Sequence, residues 1–308
     1  MSSAPLSIQL SAVIVAVTGD QPRVLTVENG AALPAGPLES SHRTLELGLR
    51  AWVEASTRHP LGYVEQLYTF GDRDRTDRQG GRVISLSYLA LTQEAAAWGE
   101  AGAAWSDWYV YFPWEDRRAG GARLVADQIA PRLVEWCAEA GDPAARRARS
   151  DRASTVFGLN GAAWKDEFTL QRFELLYEAR LIPEAVREHP NGPERLLPIP
   201  GRTMAYDHRR MLATGISRLR AKIKYRPVFF ELMPPSFTLL QLQHAVEALA
   251  GRRLHKQNFR RTIEQQGLVE PTGEVSAQTG GRPAKLMRFR RDVVHNRAVA
   301  GATLPLDR

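Results

Sequence analysis

Apolar residues in the first 140 positions of the chain follow two spacings, one typical of strands and one typical of helices. Residues 38–57 place Leu45, Leu49 and Val53 near one face at helical spacing, and residues 123–140 repeat this kind of pattern. Runs rich in β-branched and aromatic residues predict four strands, at residues 7–17, 24–27, 83–91 and 108–112. Strands interspersed with helices in this order predict an α/β or α+β sandwich.

Residues 141–204 separate this sandwich from the last third of the chain. Residues 141–165 are rich in Ala and Arg and predict a mobile connection, and residues 166–180 predict a helix. Residues 189–203 contain four Pro and two Gly, which is typical of a linker. We therefore expect three parts: residues 1–140, a helical extension and linker at residues 141–204, and a C-terminal domain at residues 205–308.

The last third of the chain carries helix start and stop signals in the order typical of a winged helix-turn-helix. Thr238 and Gln241 form a capping box, Phe237 and Leu242 fit its hydrophobic staple, and Gly251 is placed to end the helix. The predicted elements, in order, are a helix at residues 207–224, a short strand at 228–232, helices at 239–250 and 255–266, and wing strands at 268–270 and 285–290.

Charge divides the chain at about the same place. Residues 201–308 carry 20 Lys and Arg against 8 Asp and Glu, a net charge of +12, whereas residues 1–200 carry 21 against 26, a net charge of −5. Clustered Lys and Arg are the electrostatic footprint of phosphate binding. The C-terminal domain is therefore predicted to bind DNA. The alternative is a winged helix used for protein contacts, with its arginines solvated.

The third predicted helix of this domain carries most of the residues expected to contact DNA. On a helical projection, Phe259 and Ile263 share the inward face. Side chains of Arg, Lys, Asn and Gln match the hydrogen-bonding groups of base edges in the major groove. Cations near the wing tip are expected to contact the phosphate backbone or the minor groove. The predicted DNA-binding residues are Lys256, Gln257, Asn258, Arg260 and Arg261 on the helix and Arg282 and Lys285 on the wing.

Composition is that of a globular protein, with 44% hydrophobic and 24% charged residues. The single Cys137 excludes an internal disulfide framework, and its apolar neighbours favour a buried, inert thiol. The apolar run at residues 5–17 has no Lys or Arg before it, so a strand explains it better than a signal peptide. We expect a cytoplasmic protein without a membrane-spanning helix.

Residues 36–58 resemble a Nudix box, G-x5-E-x7-R-E-U-x-E-E-x-G-U, where U is a bulky apolar residue. Aligned on Gly36, the chain retains Arg50, Trp52 and Glu54. Other residues stand at three carboxylate positions and at the second Gly position of the box: His42, Ala51, Ala55 and Thr57. Nudix hydrolases use these carboxylates to hold Mg²⁺, so we expect neither a metal site nor catalytic residues here. A surface ladder of i,i+4 ion pairs is the alternative role for Arg50 and Glu54.

The run GYVEQLYTFGDRDR at residues 62–75 strengthens this resemblance. Together with the C-terminal segments KYRPVFFEL, FTLLQLQ, KQNFRRTIEQQGLVEPTGE and GGRPAKLMRF, it is similar to the Nudix-related transcriptional regulators of NAD metabolism, the NrtR type and its longer relative NadQ. The resemblance covers most of residues 1–140 and 205–291, and the additional residues 141–204 favour the NadQ-like branch. It implies an α+β chain with an N-terminal Nudix-like α/β/α sandwich and a C-terminal winged helix-turn-helix domain.

The resemblance also implies a function. In this family the Nudix-like domain has usually lost hydrolysis and senses a metabolite of the NAD pool, while the winged helix binds an operator as a dimer. We expect a repressor of NAD biosynthesis or salvage genes, a homodimer on a palindromic DNA operator, with NAD, ADP-ribose or ATP as effector and no required cofactor. The implied ligand-binding residues are Arg50, Glu54, Tyr68, Phe70, Arg73 and Arg82.

Three alternatives to this interpretation stay open. Packing in the core is the alternative to ligand binding for Tyr68 and Phe70. A second function is that of a Nudix pyrophosphohydrolase acting on ADP-ribose or a related nucleotide through altered metal ligands. A third is that of an adaptor, in which both domains only bind other proteins.

Overall fold

The computed structural model describes residues 6–57, 61–71, 75–76, 81–94, 102–188, 198–224, 228–276 and 283–290. The strands among these residues are β1 (Leu6–Thr18), β2 (Gln21–Thr26), β3 (Ala35–Pro37), β4 (Val64–Phe70), β5 (Arg82–Leu91), β6 (Ala104–Asp107), β7 (Val269–Ser276) and β8 (Ala284–Phe289). The α-helices are α1 (Leu45–Thr57), α2 (Gly121–Leu124), α3 (Ala130–Ala138), α4 (Pro143–Phe157), α5 (Thr169–Glu178), α6 (Pro183–Glu188), α7 (His208–Ile223), α8 (Leu239–Ala250) and α9 (Lys256–Gln265). No helix among the described residues is long and apolar enough to cross a membrane.

The N-terminal half of the protein is built around one mixed sheet. Its strand order is β4-β5-β1-β2-β6, with β3 paired to β1. The central strands β1 and β5 run parallel, and the other neighbours are antiparallel. Leu10, Ala12 and Ile14 of β1 pack with α1 on one face of the sheet, whereas Val13 and Val15 face the opposite core. Helices α7 and α8 contact the sheet in that opposite core, so the predicted α/β/α sandwich is confirmed.

Helix α7 lies directly on the central strand of the sheet. A Cβ atom added at Gly215 of α7 would lie 2.8 Å from Cγ1 of Val13 in β1, so this close approach requires glycine. The same helix packs against α5 of the extension. The apolar core on this side runs without a break from Val13, through Phe173 of α5, to Phe259 of α9. The predicted boundary near residue 205 therefore does not coincide with a gap in the core.

The prediction of a mobile connection at residues 141–165 is wrong, because α4 occupies most of it. The Asp142 side chain accepts a hydrogen bond from the Ala145 amide at 2.9 Å, and Pro143 occupies the first turn of the helix. Gly158 closes the helix in the left-handed conformation. Ala and Arg favour helix, and these caps define its ends. Residues 141–188 therefore form a largely helical extension.

Two predicted strands are short 3₁₀ helices in the structure. At residues 108–112 the Asp107 side chain accepts from the Tyr109 amide at 2.9 Å, which ends β6 and bends the chain into the turn Trp108–Val110. The aromatic residues of this turn are buried without strand alternation, because the chain bends around them. The second misassigned strand, at residues 228–232, is the 3₁₀ helix Val228–Leu232. The first helix of the chain also begins later than residue 38, at Leu45.

Candidate functional site

The start of α8 is held by the predicted capping box. The Thr238 hydroxyl accepts from the Gln241 amide at 3.2 Å, and the Gln241 side chain accepts from the Thr238 amide at 2.7 Å. Just before the box, Phe237 exchanges two backbone hydrogen bonds with Met287 of β8, at 2.9 and 2.7 Å. The antiparallel pair β7-β8 forms the predicted wing. The wing and the helix-turn-helix are therefore joined by a backbone bridge.

The turn between α8 and α9 depends on one glycine and one buried carboxylate. Gly251 adopts a φ of +74°, and an added Cβ would lie 2.3 Å from the Glu115 carbonyl oxygen. The Glu247 carboxylate accepts from the Leu254 amide at 2.9 Å and from Arg253 Nη1 at 3.1 Å. These contacts fix the turn that leads from α8 into α9.

Helix α9 presents the two faces that the sequence predicts. Phe259 and Ile263 are fully buried. Within the described part of the chain, the polar and basic side chains predicted to contact DNA form no hydrogen bond or ion pair with one another or with the core. Those exposed residues are Lys256, Gln257, Asn258, Arg260 and Arg261 on α9 and Lys285 on β8. The predicted Arg282 lies outside the described residues.

The wing and α9 enclose a groove of about 580 Å³. Lys256, Arg260 and Glu264, spaced by one helical turn, form the row of α9 that lines it, opposite Lys285 of the wing. Gln257 and Arg261 form a second row, which projects directly away from the buried face. The predicted DNA-binding residues are thus close together, but Arg260 belongs to the groove and not to the outermost row.

On the α1 side of the sheet, the predicted ligand-binding residues are only partly available. Arg50 donates from Nε to Glu46 at 2.9 Å, from Nη1 to the Leu61 carbonyl at 2.6 Å and from Nη2 to the Gly62 carbonyl at 3.2 Å. It therefore holds the loop before β4 against α1. Glu54 on α1 is exposed. Arg82 is also exposed and donates to the Gly71 carbonyl at 3.1 Å.

The two predicted aromatic ligands lie on the other side of the sheet. Phe70 is 8% exposed and packs in the core that faces α7, in agreement with the alternative role of core packing. Tyr68 is 53% exposed, but its ring lies 5.9 Å from the guanidinium of Arg218 on α7. The sheet therefore separates Tyr68 and Phe70 from Arg50, Glu54 and Arg82. The predicted Arg73 lies outside the described residues.

The residues at the Nudix-box positions do not fit a Mg²⁺ site. This ion favours several oxygen ligands, but His42 accepts a hydrogen bond from the Glu39 amide at 3.1 Å, and alanines occupy two carboxylate positions. Among the described residues, no group of three or more His, Cys, Asp or Glu side chains is arranged to hold a metal ion.

A buried charged cluster connects the sandwich to the helix-turn-helix, and the sequence analysis missed it. Glu115 accepts from Arg172 Nε at 2.6 Å, from Arg172 Nη2 at 2.9 Å and from Arg220 Nη1. All three side chains are almost fully buried. Burial alone would raise the pKa of Glu115, but the two guanidinium groups hold this pKa below its ordinary value. We call these three residues the Glu115 cluster.

The Glu115 cluster is bonded directly to the end of α8. Arg220 donates from Nε to the Leu249 carbonyl at 2.8 Å, and the Tyr109 hydroxyl donates to the Ala248 carbonyl at 2.6 Å. Burial raises the pKa of Tyr109 to about 12, which keeps this hydroxyl a donor. Sandwich, extension, α7 and α8 therefore meet at one polar centre. No local motif marks it, because Glu115, Arg172 and Arg220 are far apart in sequence.

Comparison with known protein families agrees with this geometry. Residues 229–289 match the NrtR DNA-binding winged helix domain family. Over 86 residues the chain is 42% identical to a protein of Acinetobacter baylyi named ADPR responsive transcriptional repressor NtrR. This alignment covers 28% of the chain and 34% of that relative, so it spans about a third of the relative's length. The similarity at the family level therefore lies in residues 229–289, which correspond to the winged helix.

Solved structures show the same fold over almost the whole chain. Shewanella oneidensis NrtR complexed with a 27mer DNA matches with a TM-score of 0.52 and 21% identity, covering 95% of this chain and 98% of that chain. A second structure of Shewanella oneidensis NrtR matches with a TM-score of 0.55 and 20% identity, covering 95% of this chain and 98% of that chain. A MutT/nudix family protein from Enterococcus faecalis matches with a TM-score of 0.52 and 16% identity, covering 94% of this chain and 88% of that chain. The predicted α+β fold, with a Nudix-like sandwich and a winged helix, is confirmed.

Proposed function

We propose that this protein is a transcriptional repressor of the NrtR type, which binds its operator as a homodimer and responds to a nucleotide of the NAD pool. The exposed polar and basic rows of α9, beside the wing of an NrtR winged helix domain, carry this proposal. The relative from A. baylyi is named as responsive to ADPR, so we favour ADP-ribose over NAD and ATP as effector. Genes of NAD biosynthesis or salvage are the proposed targets.

The two rows of α9 suggest a division of roles on DNA. Gln257 and Arg261 project farthest from the core and are proposed to contact base edges. Lys256, Arg260 and Lys285, which line the groove, are proposed to contact the phosphate backbone. Titrating wild-type protein against palindromic and scrambled duplexes in a mobility-shift assay tests this function. Failure to bind either duplex would contradict it.

The Glu115 cluster limits how the effector can act. Because α8 is bonded to the buried core of its own protomer, we propose that each winged helix moves together with its sandwich as one body. An effector would then change operator affinity by altering how two protomers are placed relative to each other. It must bind one of these arrangements more tightly than the other, since only differential affinity shifts an equilibrium.

We expect ADP-ribose to raise the melting temperature of the wild type. A ligand that binds only the native state adds about 2.7 kcal/mol to the unfolding free energy at 100 times its Kd. Arg82 is an exposed cation among the predicted ligand-binding residues, so Arg82→Ala should reduce this thermal shift while leaving operator binding without ligand intact. Differential scanning fluorimetry with ADP-ribose, NAD, ATP and nicotinamide mononucleotide measures the response.

The matched control is Arg43→Ala, which removes another exposed arginine close to α1. Arg73→Ala is expected to behave like Arg82→Ala. In contrast, Arg50→Ala should lower the melting temperature even without ligand, because Arg50 holds the carbonyls of Leu61 and Gly62. A full thermal shift in both Arg73→Ala and Arg82→Ala would move the effector site away from these two arginines.

We expect no measurable hydrolysis of ADP-ribose in the presence of Mg²⁺ or Mn²⁺. The positions that would supply carboxylate ligands hold His42, Ala51 and Ala55, so a divalent cation would lack most of its oxygen donors. Chromatographic detection of AMP after prolonged incubation checks this expectation. Turnover that disappears in Glu54→Gln would instead assign the protein as a Nudix pyrophosphohydrolase.

A further inference from the structure

Cations from three separate segments surround the turn between α8 and α9. Arg252 and Arg253 belong to the turn itself, and Arg117 follows Glu115 closely in the chain. Lys165 precedes Asp166, whose carboxylate accepts a hydrogen bond from Arg252 Nε at 2.8 Å. The Arg117 amide donates to the Gly251 carbonyl at 2.8 Å, so this loop of the sandwich lies against the turn. The side chains of Arg117 and Lys165 are exposed.

The carboxylates of this region are already engaged by other arginines. Asp116 accepts from Arg118 Nε at 2.8 Å, Asp166 from Arg252 Nε at 2.8 Å, and Glu247 from Arg253 Nη1 at 3.1 Å. Asp166 and Glu247 are also buried. Among the described residues, neither Arg117 nor Lys165 forms an ion pair. They remain the uncompensated positive charges of this surface.

Trp164 holds the Arg117 guanidinium in place. The centre of the guanidinium lies 4.6 Å from the centroid of the indole ring, and that of Arg172 lies 3.7 Å from the same centroid. Arg172 belongs to the Glu115 cluster, so the indole is anchored to the buried core. A guanidinium over an aromatic ring makes a cation–π contact that uses none of its N–H donors. Such a preorganised fork suits the oxygens of a phosphate group.

We propose that Arg117 and Lys165, which lie outside the winged helix domain, contact the DNA backbone next to the site read by α9. The N-terminal half of a recognition helix enters the major groove. The turn that leads into it, with Arg117 beside Gly251, then lies at the edge of the groove, where the phosphates are. This inference rests on the proposed function and adds a DNA contact from the sandwich and its helical extension.

The test is the salt dependence of duplex binding by the full chain. Each phosphate contact contributes about 0.9 to the slope of log K against log salt concentration. Arg117→Ala should therefore reduce the slope by about 0.9 and weaken binding roughly fivefold to tenfold at about 0.1 M salt, similarly on specific and scrambled duplexes. Arg117→Lys should keep the wild-type slope, because it keeps the charge. Fluorescence anisotropy between about 0.05 and 0.4 M salt measures these slopes.

Two further variants make the result decisive. Arg43→Ala removes an exposed arginine near α1, which packs on the face of the sheet opposite to α8. It should leave the salt-dependence slope unchanged. Lys165→Ala should lower the slope by a similar amount to Arg117→Ala, and it decides the matter if Arg117→Ala does not fold. Wild-type slopes in both alanine variants would overturn this inference while leaving DNA binding by α9 intact. A wild type that binds no duplex at any salt concentration would overturn the proposed function as well.

Discussion

Replacing Gln257 and Arg261 together by Ala is expected to weaken binding to the specific operator by roughly 30-fold to 10⁴-fold, with a much smaller effect on scrambled DNA. A bidentate contact to a base edge contributes about 1–3 kcal/mol of discrimination, and about 1.4 kcal/mol corresponds to a factor of ten. Both side chains are exposed and point away from Phe259 and Ile263, so the helix keeps its buried face. The loss should therefore appear in binding and not in stability.

A mobility-shift titration on an inverted-repeat operator measures this effect. A two-fold dimer requires half-sites separated by whole helical turns. In the single variants, Gln257→Ala should lose discrimination at an adenine and Arg261→Ala at a guanine. Lys285→Ala is the matched control, since loss of a backbone contact weakens binding evenly across sequences. Wild-type affinity and specificity in the double variant would show that α9 does not read DNA.

The winged helix was predictable because its signals are local. Thr238 and Gln241 supply both halves of the capping box within one turn, and Gly251 ends the helix in the left-handed conformation. The division of α9 into two faces follows from helical periodicity, and Phe259 and Ile263 are buried as expected. Each of these features depends on residues within a few positions of one another.

The errors concern features that depend on tertiary contacts or on mixed local signals. The run at residues 108–112 is apolar enough for a strand, but Asp107 caps a turn there and the sandwich buries its aromatic rings. Helix α4 lacks a clear apolar stripe, so periodicity did not reveal it, although Asp142 and Pro143 are ordinary start signals. Phe70 and Arg82 lie on opposite faces of the sheet. The sequence alone does not predict this, because it depends on how β4 pairs with β5.

The Glu115 cluster links the sandwich to the winged helix, which also share one apolar core. Arg172 lies in the extension and Arg220 in α7, and both bond to the carboxylate of Glu115. Arg220 continues the contact to the Leu249 carbonyl of α8. A charged residue that is buried this deeply is stable only when its partners remain in place. The position of α8 is therefore coupled to the integrity of this cluster.

Replacing Glu115 by Ala is expected to lower the free energy of unfolding by about 3–5 kcal/mol at neutral pH, because two buried guanidinium groups lose their carboxylate partner. Glu115→Gln keeps the shape but removes the charge, and should cost less. Chemical denaturation followed by circular dichroism measures both. The matched control is Glu174→Ala, which breaks a partly exposed ion pair with Arg210 and should cost at most about 1 kcal/mol.

The pH dependence separates loss of the ion pair from loss of packing. Arg172 and Arg220 lower the pKa of Glu115 in the folded protein, so its contribution is fully present above the ordinary glutamate pKa of about 4.3. It is lost as the pH falls through the lowered folded-state pKa. The stability difference between wild type and Glu115→Gln should thus be constant from about pH 5 to 8 and shrink in acid. A difference that is unchanged in acid would mean that the carboxylate stabilises the fold through packing and not through its charge.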